Sequence, residues 1–197
     1  WEEFEQPKLI VPAISGTVNV AVDFNGYFAN NKASIFVSPE ARFLAAVVNS
    51  PVAFWFTTQV FSTKQGGFWD FEPRYSGQWP IPAATAEQKA LCEALSGALI
   101  ELHKPESAKL AERDLVVSWF EQWLNGLVYE LFFPGELHAR NLHLFAETAK
   151  LLPDAKLPAK AIPEVFAASR DFKRPLRAML TDLQSIEEVR IIESAGN

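Results

Sequence analysis

Two prolines separated by a single residue, in Trp79-Pro80-Ile81-Pro82, divide this chain more sharply than any other feature of it. Proline lacks a backbone N–H and fixes φ, so such a string continues neither a helix nor a central strand. Upstream, apolar residues come in short runs rich in Val, Ile and Phe with turn residues between them, as strands require. Downstream they recur with a helical period. The chain therefore reads as α+β: a small mixed β-sheet with packed helices over residues 1–82, a helical hairpin over 83–132 and a helical C-terminal region over 133–197. With 197 residues, 49% of them hydrophobic, it has material for one sizeable core or two small ones.

In the first segment, residues 9–14, 18–24 and 33–37 are expected strands, and Asp23-Phe24-Asn25-Gly26 supplies the chemistry of a tight reversal. Residues 43–60 read as helix, with Ser38 as its cap and a break at Asn49-Ser50-Pro51. That break also leaves the longest near-apolar stretch, 43–56, too short to span a bilayer, so no membrane segment is expected. A polar loop at 62–67 leads into a short strand at 68–71, whose Phe68 and Phe71 are expected in the core.

Past the prolines, Thr85 and Gln88 form a capping-box pattern ahead of Leu91, Leu95 and Leu99 on one helical face. A second helix is expected over 107–132 with Leu115, Trp119, Trp123 and Leu127 as its buried stripe, stopped by Phe133-Pro134-Gly135. A third is expected over 136–151, then a loop at 153–163 and one or two helices over 162–193. The sequence contains no internal repeat and no low-complexity tract.

The formal charge is −6, which lowers the expectation of a nucleic-acid partner, because phosphate binding depends on Lys and Arg releasing counterions. Residues 1–82 set Lys8, Lys32, Arg42, Lys64 and Arg74 against seven acids, three of them crowded together as Glu2, Glu3 and Glu5. A recognition module tethered to a basic neighbour need not be basic itself. The one cysteine, Cys92, lies among leucines and reads as a small core residue, consistent with a reducing, cytoplasmic setting. His103, His138 and His143 show no ligand-like spacing, so no metal site is expected. The chain opens on Trp1 with no signal-peptide pattern after it and so reads as part of a longer protein.

Catalytic motifs are not found. No glycine-rich cofactor turn follows a strand, and Asn49-Ser50-Pro51-Val52 lacks the second proline and the aromatic of an adenine-holding motif. Pro153-Asp154 with Asp171-Phe172-Lys173 formally satisfies a loose nuclease pattern, which needs its two acids on adjacent strands to share a magnesium ion. The prolines and helical composition between them favour a solvated loop instead.

The informative stretch is 62–75, which combines a glycine loop, cations, a glutamine and aromatics. Arg and Lys read guanine edges, Gln reads adenine, and Tyr or Trp stacks on a base or wedges beside it. The candidate DNA contacts are Lys64, Gln65, Trp69, Arg74 and Tyr75, with Lys32 and Arg174 as further cations. Arg174 belongs to a basic cluster with Arg170, Lys173 and Arg177, spaced for one helical face that either clamps phosphates or pairs with neighbouring acids.

Several strings resemble, in order, the C-terminal specificity domain of the TaqI-like adenine-N6 DNA methyltransferases and related single-chain restriction-modification enzymes. They are Lys8-Leu9-Ile10-Val11, Phe24-Asn25-Gly26-Tyr27-Phe28-Ala29-Asn30-Asn31, the stretch from Phe43 to Pro51, Gly66-Gly67-Phe68-Trp69-Asp70-Phe71, Arg74-Tyr75 and Pro80-Ile81-Pro82. Leu124-Asn125-Gly126-Leu127-Val128-Tyr129-Glu130-Leu131 is similar to a helix that follows in such enzymes, although Phe132-Phe133-Pro134 departs from its usual ending. The resemblance implies a target-recognition module for duplex DNA in a prokaryotic cytoplasm. It further implies an upstream methyltransferase domain on the same polypeptide that binds S-adenosylmethionine, with no cofactor in this segment. Two other readings compete: a helical module that docks a partner through Trp119 and Trp123, and the magnesium-dependent nuclease.

Overall fold

The computed structural model describes residues 2–110 and 112–195, and its contacts divide the chain after Ile81. One unit holds the residues up to Ile81 with the chain end from Ile192; the other is Pro82–Ile191.

The first unit opens with a short helix α1 (Glu2–Glu5) and strand β1 (Lys8–Pro12). On β1, Lys8, Leu9 and Val11 are buried. This strand is central: β3 (Ala21–Asp23) and β4 (Ala33–Val37) flank it, both antiparallel, with Leu9 opposite Val22 on one side and Phe36 on the other. A second antiparallel sheet has the order β2 (Ile14–Ser15), β6 (Phe68–Asp70), β5 (Thr63–Lys64). The α+β architecture holds, and its strands form two three-stranded antiparallel sheets in place of one mixed sheet. Ala13 joins them: its N–H donates to the Lys32 carbonyl and its carbonyl accepts from the Phe71 N–H, both at 2.8 Å.

Helices α2 (Ala41–Val48) and α3 (Pro51–Val60) cover this framework. Ala41, Ala45 and Val48 lie at i, i+4 and i+7, which puts them on one face, packed in a core with Leu9, Val11, Val20 and Phe71. The break between the helices has a second purpose. The Asn49 amide accepts from the Val20 N–H and donates to the Val20 carbonyl, both at 2.9 Å, so one side chain satisfies a residue's whole backbone as a neighbouring strand would. Ser50 then caps α3 by accepting from the Ala53 N–H. Ser38 accepts from the Glu40 N–H at 3.1 Å but is not the cap of α2, whose N-cap is Glu40. Among the described residues no single helix is long and apolar enough to cross a membrane; α2 and α3 together reach that length but bend by 65° at their break.

Past α4 (Pro73–Ser76), Trp79 is sealed against Phe61 and Phe71, with ring centroids 5.5 and 5.8 Å away, and its Nε1 donates to the buried Thr57 hydroxyl at 3.0 Å. The residue before the first proline is thus a core anchor.

The second unit is helical. Thr85 and Gln88 do make a capping box at the start of α5 (Ala86–His103). Its buried face runs Leu91, Leu95, Ala98, Leu102, and Leu99 is only half buried. Cys92 is fully buried, and loss of hydration, aided by the Glu93 carboxylate, pushes its thiol up to about 12. A thiol this protonated is a poor nucleophile. Ellman's reagent at pH 8 is expected to leave the folded protein unlabelled and to react with one equivalent once denaturant is added; prompt labelling of the folded chain contradicts the placement.

Helix α6 (Arg113–Phe132) does not begin near 107, because Pro105–Lys109 forms a 3-10 turn first. Its buried stripe is Val116, Phe120, Trp123 and Leu127, one residue out of register with the expected stripe at its start, so Leu115 is exposed. Trp123 is fully buried and donates to Thr148 at 2.8 Å on α8 (Leu144–Leu151); half-buried Trp119 donates to Ser169 at 2.8 Å on α9 (Ile162–Ser169). Both indole N–H groups are thus engaged inside the unit. The expected helix over 136–151 is two, α7 (Pro134–His138) and α8, separated at Asn141, whose φ of 57° reverses the chain. The end of the chain forms α9, α10 (Leu176–Asp182) and α11 (Glu187–Ser194).

A further sequence expectation fails in this unit. The basic cluster does not share a helical face, since Arg170 caps α9, Lys173 and Arg174 lie in the following turn and only Arg177 is on α10. Asp154 sits in a turn and Asp171 in the loop just past α9, and the unit has no strand among its described residues, so the loop favoured over the nuclease pattern is what these residues form.

Candidate nucleic-acid interface

Strands β5 and β6 form a hairpin in which Lys64 faces Phe68 and Thr63 faces Trp69. The three residues between are Gln65, Gly66 and Gly67, all exposed. Gly66 and Gly67 have φ of 86° and 80°, a region in which any side chain is strained, so the tight loop requires glycine. Gln65 is consequently held at a hairpin tip.

At the base of this hairpin Asp70 is buried, and three groups converge on its carboxylate. Lys64 Nζ lies 3.0 Å from Oδ2, Arg74 Nη2 lies 3.2 Å from the same oxygen, and the Glu72 N–H donates to Oδ1 at 3.1 Å. Burial pushes this carboxyl up, but the Glu72 amide and the two cations more than offset it and hold Asp70 below the usual carboxylate range. Arg74 also pairs with Glu72 at 3.3 Å through the same nitrogen, and its guanidinium lies over the Tyr75 ring, 4.9 Å from the centroid. Asp70, foremost among these partners, raises the Arg74 pKa further. Two cations from different elements are thus fixed by one carboxylate, with their charge balanced by Asp70 and Glu72.

The structure accordingly brings Lys64, Gln65, Trp69, Arg74 and Tyr75 together on the hairpin and the helix that follows. Gln65, Lys64 and Arg74 are exposed, while Trp69 and Tyr75 are half buried against the core. Phe71 is buried as expected, but Phe68 is 45% exposed. Lys32 is exposed in the turn before β4, its backbone one residue from Phe71 across Ala13. Arg174 is exposed in the second unit.

Sequence reasoning missed a second exposed group. Asp23 Oδ1 accepts from the Asn25 N–H and Oδ2 from the Tyr27 N–H, each at 2.8 Å, and Gly26 turns with φ 77°. This displays Phe24, Tyr27 and Phe28, which are 43%, 64% and 64% exposed, and the Arg42 guanidinium lies 4.7 Å from the Phe24 ring centre. The signal was three aromatics, Phe24, Tyr27 and Phe28, within five residues of a polar turn. Asp70, too, was read only as part of an aromatic strand. Metal-ligating groups meet elsewhere: among the described residues, Glu130, His138 and His143 of the second unit bring their ligand atoms within 4.8 Å of one another, against the expectation drawn from spacing.

No curated protein and no solved structure gives a significant match to this chain. The family model of the TaqI-like C-terminal specificity domain matches residues 1–81, the segment that ends where the fold divides. Residues 1–81 are therefore similar to the TaqI-like C-terminal specificity domain, a match that supports a DNA-recognition role in methyltransferases for this segment.

Proposed function

We propose that residues 1–81 bind duplex DNA and select its sequence for an adenine-N6 methyltransferase domain on the same polypeptide, which uses S-adenosylmethionine. One observation carries this reading: Lys64 and Arg74 are held by a single buried carboxylate beside a glycine hairpin that presents Gln65. Donors fixed in advance lose less freedom on meeting a base edge than free side chains do.

Affinity for a random-sequence duplex is expected to fall with added salt, and to fall about tenfold or more in Lys64→Ala/Arg74→Ala. That double variant leaves Asp70 buried and unpaired, so it is compared with the same variant carrying Asp70→Asn. Binding lost through misfolding returns with the neutral amide; binding lost with the donors does not. Salt-independent binding, or full affinity in the triple variant, refutes the proposal.

A further inference from the structure

The cluster in the second unit is built from three consecutive elements. Glu130 is in the last turn of α6, His138 ends α7, and His143 is the residue before α8. The left-handed Asn141 between the histidines folds one ring back on the other, with centroids 4.5 Å apart and planes tilted by 31°. Glu130 is 6% exposed, and its two oxygens have different partners. Oε2 accepts from the Phe145 N–H at 2.8 Å, while Oε1 is 2.8 Å from His138 Nε2.

A buried carboxylate is costly unless its charge is met. Here one oxygen is anchored by a backbone amide, which fixes the other toward the imidazole pair. Metal-ligating carboxylates are commonly oriented in this way by an outer hydrogen bond. Two neutral imidazoles and one carboxylate are also the ligand types that suit a zinc-class ion, with a fourth position left for water. Both histidines are exposed, so an ion has a path in. Tetrahedral bonds of about 2.1 Å place ligand atoms roughly 3.4 Å apart. Closing from the present 4.8 Å limit therefore asks only for rotation of two exposed side chains.

We propose that Glu130, His138 and His143 form a binding site for one first-row divalent ion of the zinc class, which staples the end of α6 to α7 and the start of α8. On binding, the ion takes an imidazole nitrogen from each histidine, displaces the His138–Glu130 hydrogen bond and leaves Oε2 on the Phe145 amide.

The test uses tag-free protein stripped with chelator and titrated with Zn²⁺ by calorimetry and with Co²⁺ by visible absorption. One equivalent is expected to bind, with the intense visible bands of tetrahedral Co²⁺ and a rise in Tm. His143→Ala, at an exposed position, should keep the metal-free Tm while weakening binding at least about tenfold. Glu130→Gln, which retains an acceptor for Phe145, should do likewise, and His103→Ala should bind as the wild type does. Absence of binding, or affinity unchanged in His143→Ala, overturns the proposal.

Discussion

Asp23→Ala is expected to destabilise the first unit by about 3–5 kcal/mol, the range for breaking a buried ion pair from one side. Lys8 is fully buried on the central strand, and its ammonium is paired with the Asp23 carboxylate from the neighbouring strand. Without that carboxylate the cation keeps, among the described residues, only the Phe4 carbonyl as a partner. A loss of this size is a large share of the 5–15 kcal/mol that holds a typical domain together. Lys8→Met/Asp23→Leu should recover most of it, because neither charge is then left in the core. The Asn25 and Tyr27 amides that Asp23 caps are in an exposed turn, where water can replace the carboxylate. Urea unfolding of the three proteins measures the difference, and equal midpoints would refute the account of this pair.

The same pair makes stability depend on pH with a definite sign. Burial pushes the Asp23 carboxyl up, but the hydrogen bond from Lys8 and the amides of Asn25 and Tyr27 outweigh it, so the folded value lies below the ordinary 3.8. A depressed value means stability that is present above the unfolded value and is lost as pH falls through the folded one. Asp70 shifts in the same direction. The protein is therefore expected to hold its stability above about pH 5 and to lose it progressively below pH 4, with Asp23→Ala showing a flatter acid limb.

The second large effect is expected at Trp79. It is 8% exposed, packs on Phe61 and Phe71, and donates to Thr57. Trp79→Ala removes that ring and leaves a cavity, at a cost of about 3–5 kcal/mol. Trp79→Phe keeps most of the apolar contact and loses the hydrogen bond to a buried hydroxyl, which costs about 1–3 kcal/mol. Hydrogen exchange locates the loss: amides of α3 and β6 should lose protection first. Unchanged protection there would show that Trp79 is not a core anchor.

Local chemistry explains which parts of this fold are legible in the sequence. Val, Ile and Phe runs mark β1 and β4, the capping box marks α5, and Asn49-Ser50-Pro51 marks the break between α2 and α3. Each of these signals is complete within a few residues. The split of the strands into two sheets is not, since it turns on the long-range hydrogen bonds of Ala13. The stripe of α6 slips by one because Leu115 and Val116 are equally apolar and only the packing partners choose between them. The basic cluster was misread for the opposite reason: spacing suited to one helix is interrupted by the turn before Pro175.

At the interface, residue type alone marks Lys64, Gln65 and Arg74. What organises them, a carboxylate buried between two aromatics of the strand, has no local signature, because any Asp in such a run could face water. Likewise His138 and His143 meet only through the left-handed turn at Asn141.

The central claim, that residues 1–81 carry the DNA contact, is tested most directly by hydrogen exchange on the chain with and without a short random-sequence duplex at low salt. The account predicts added protection at 62–75, around the hairpin and α4, with the second unit unchanged. Protection confined to 86–191, or none in the first unit while DNA is bound, would contradict it.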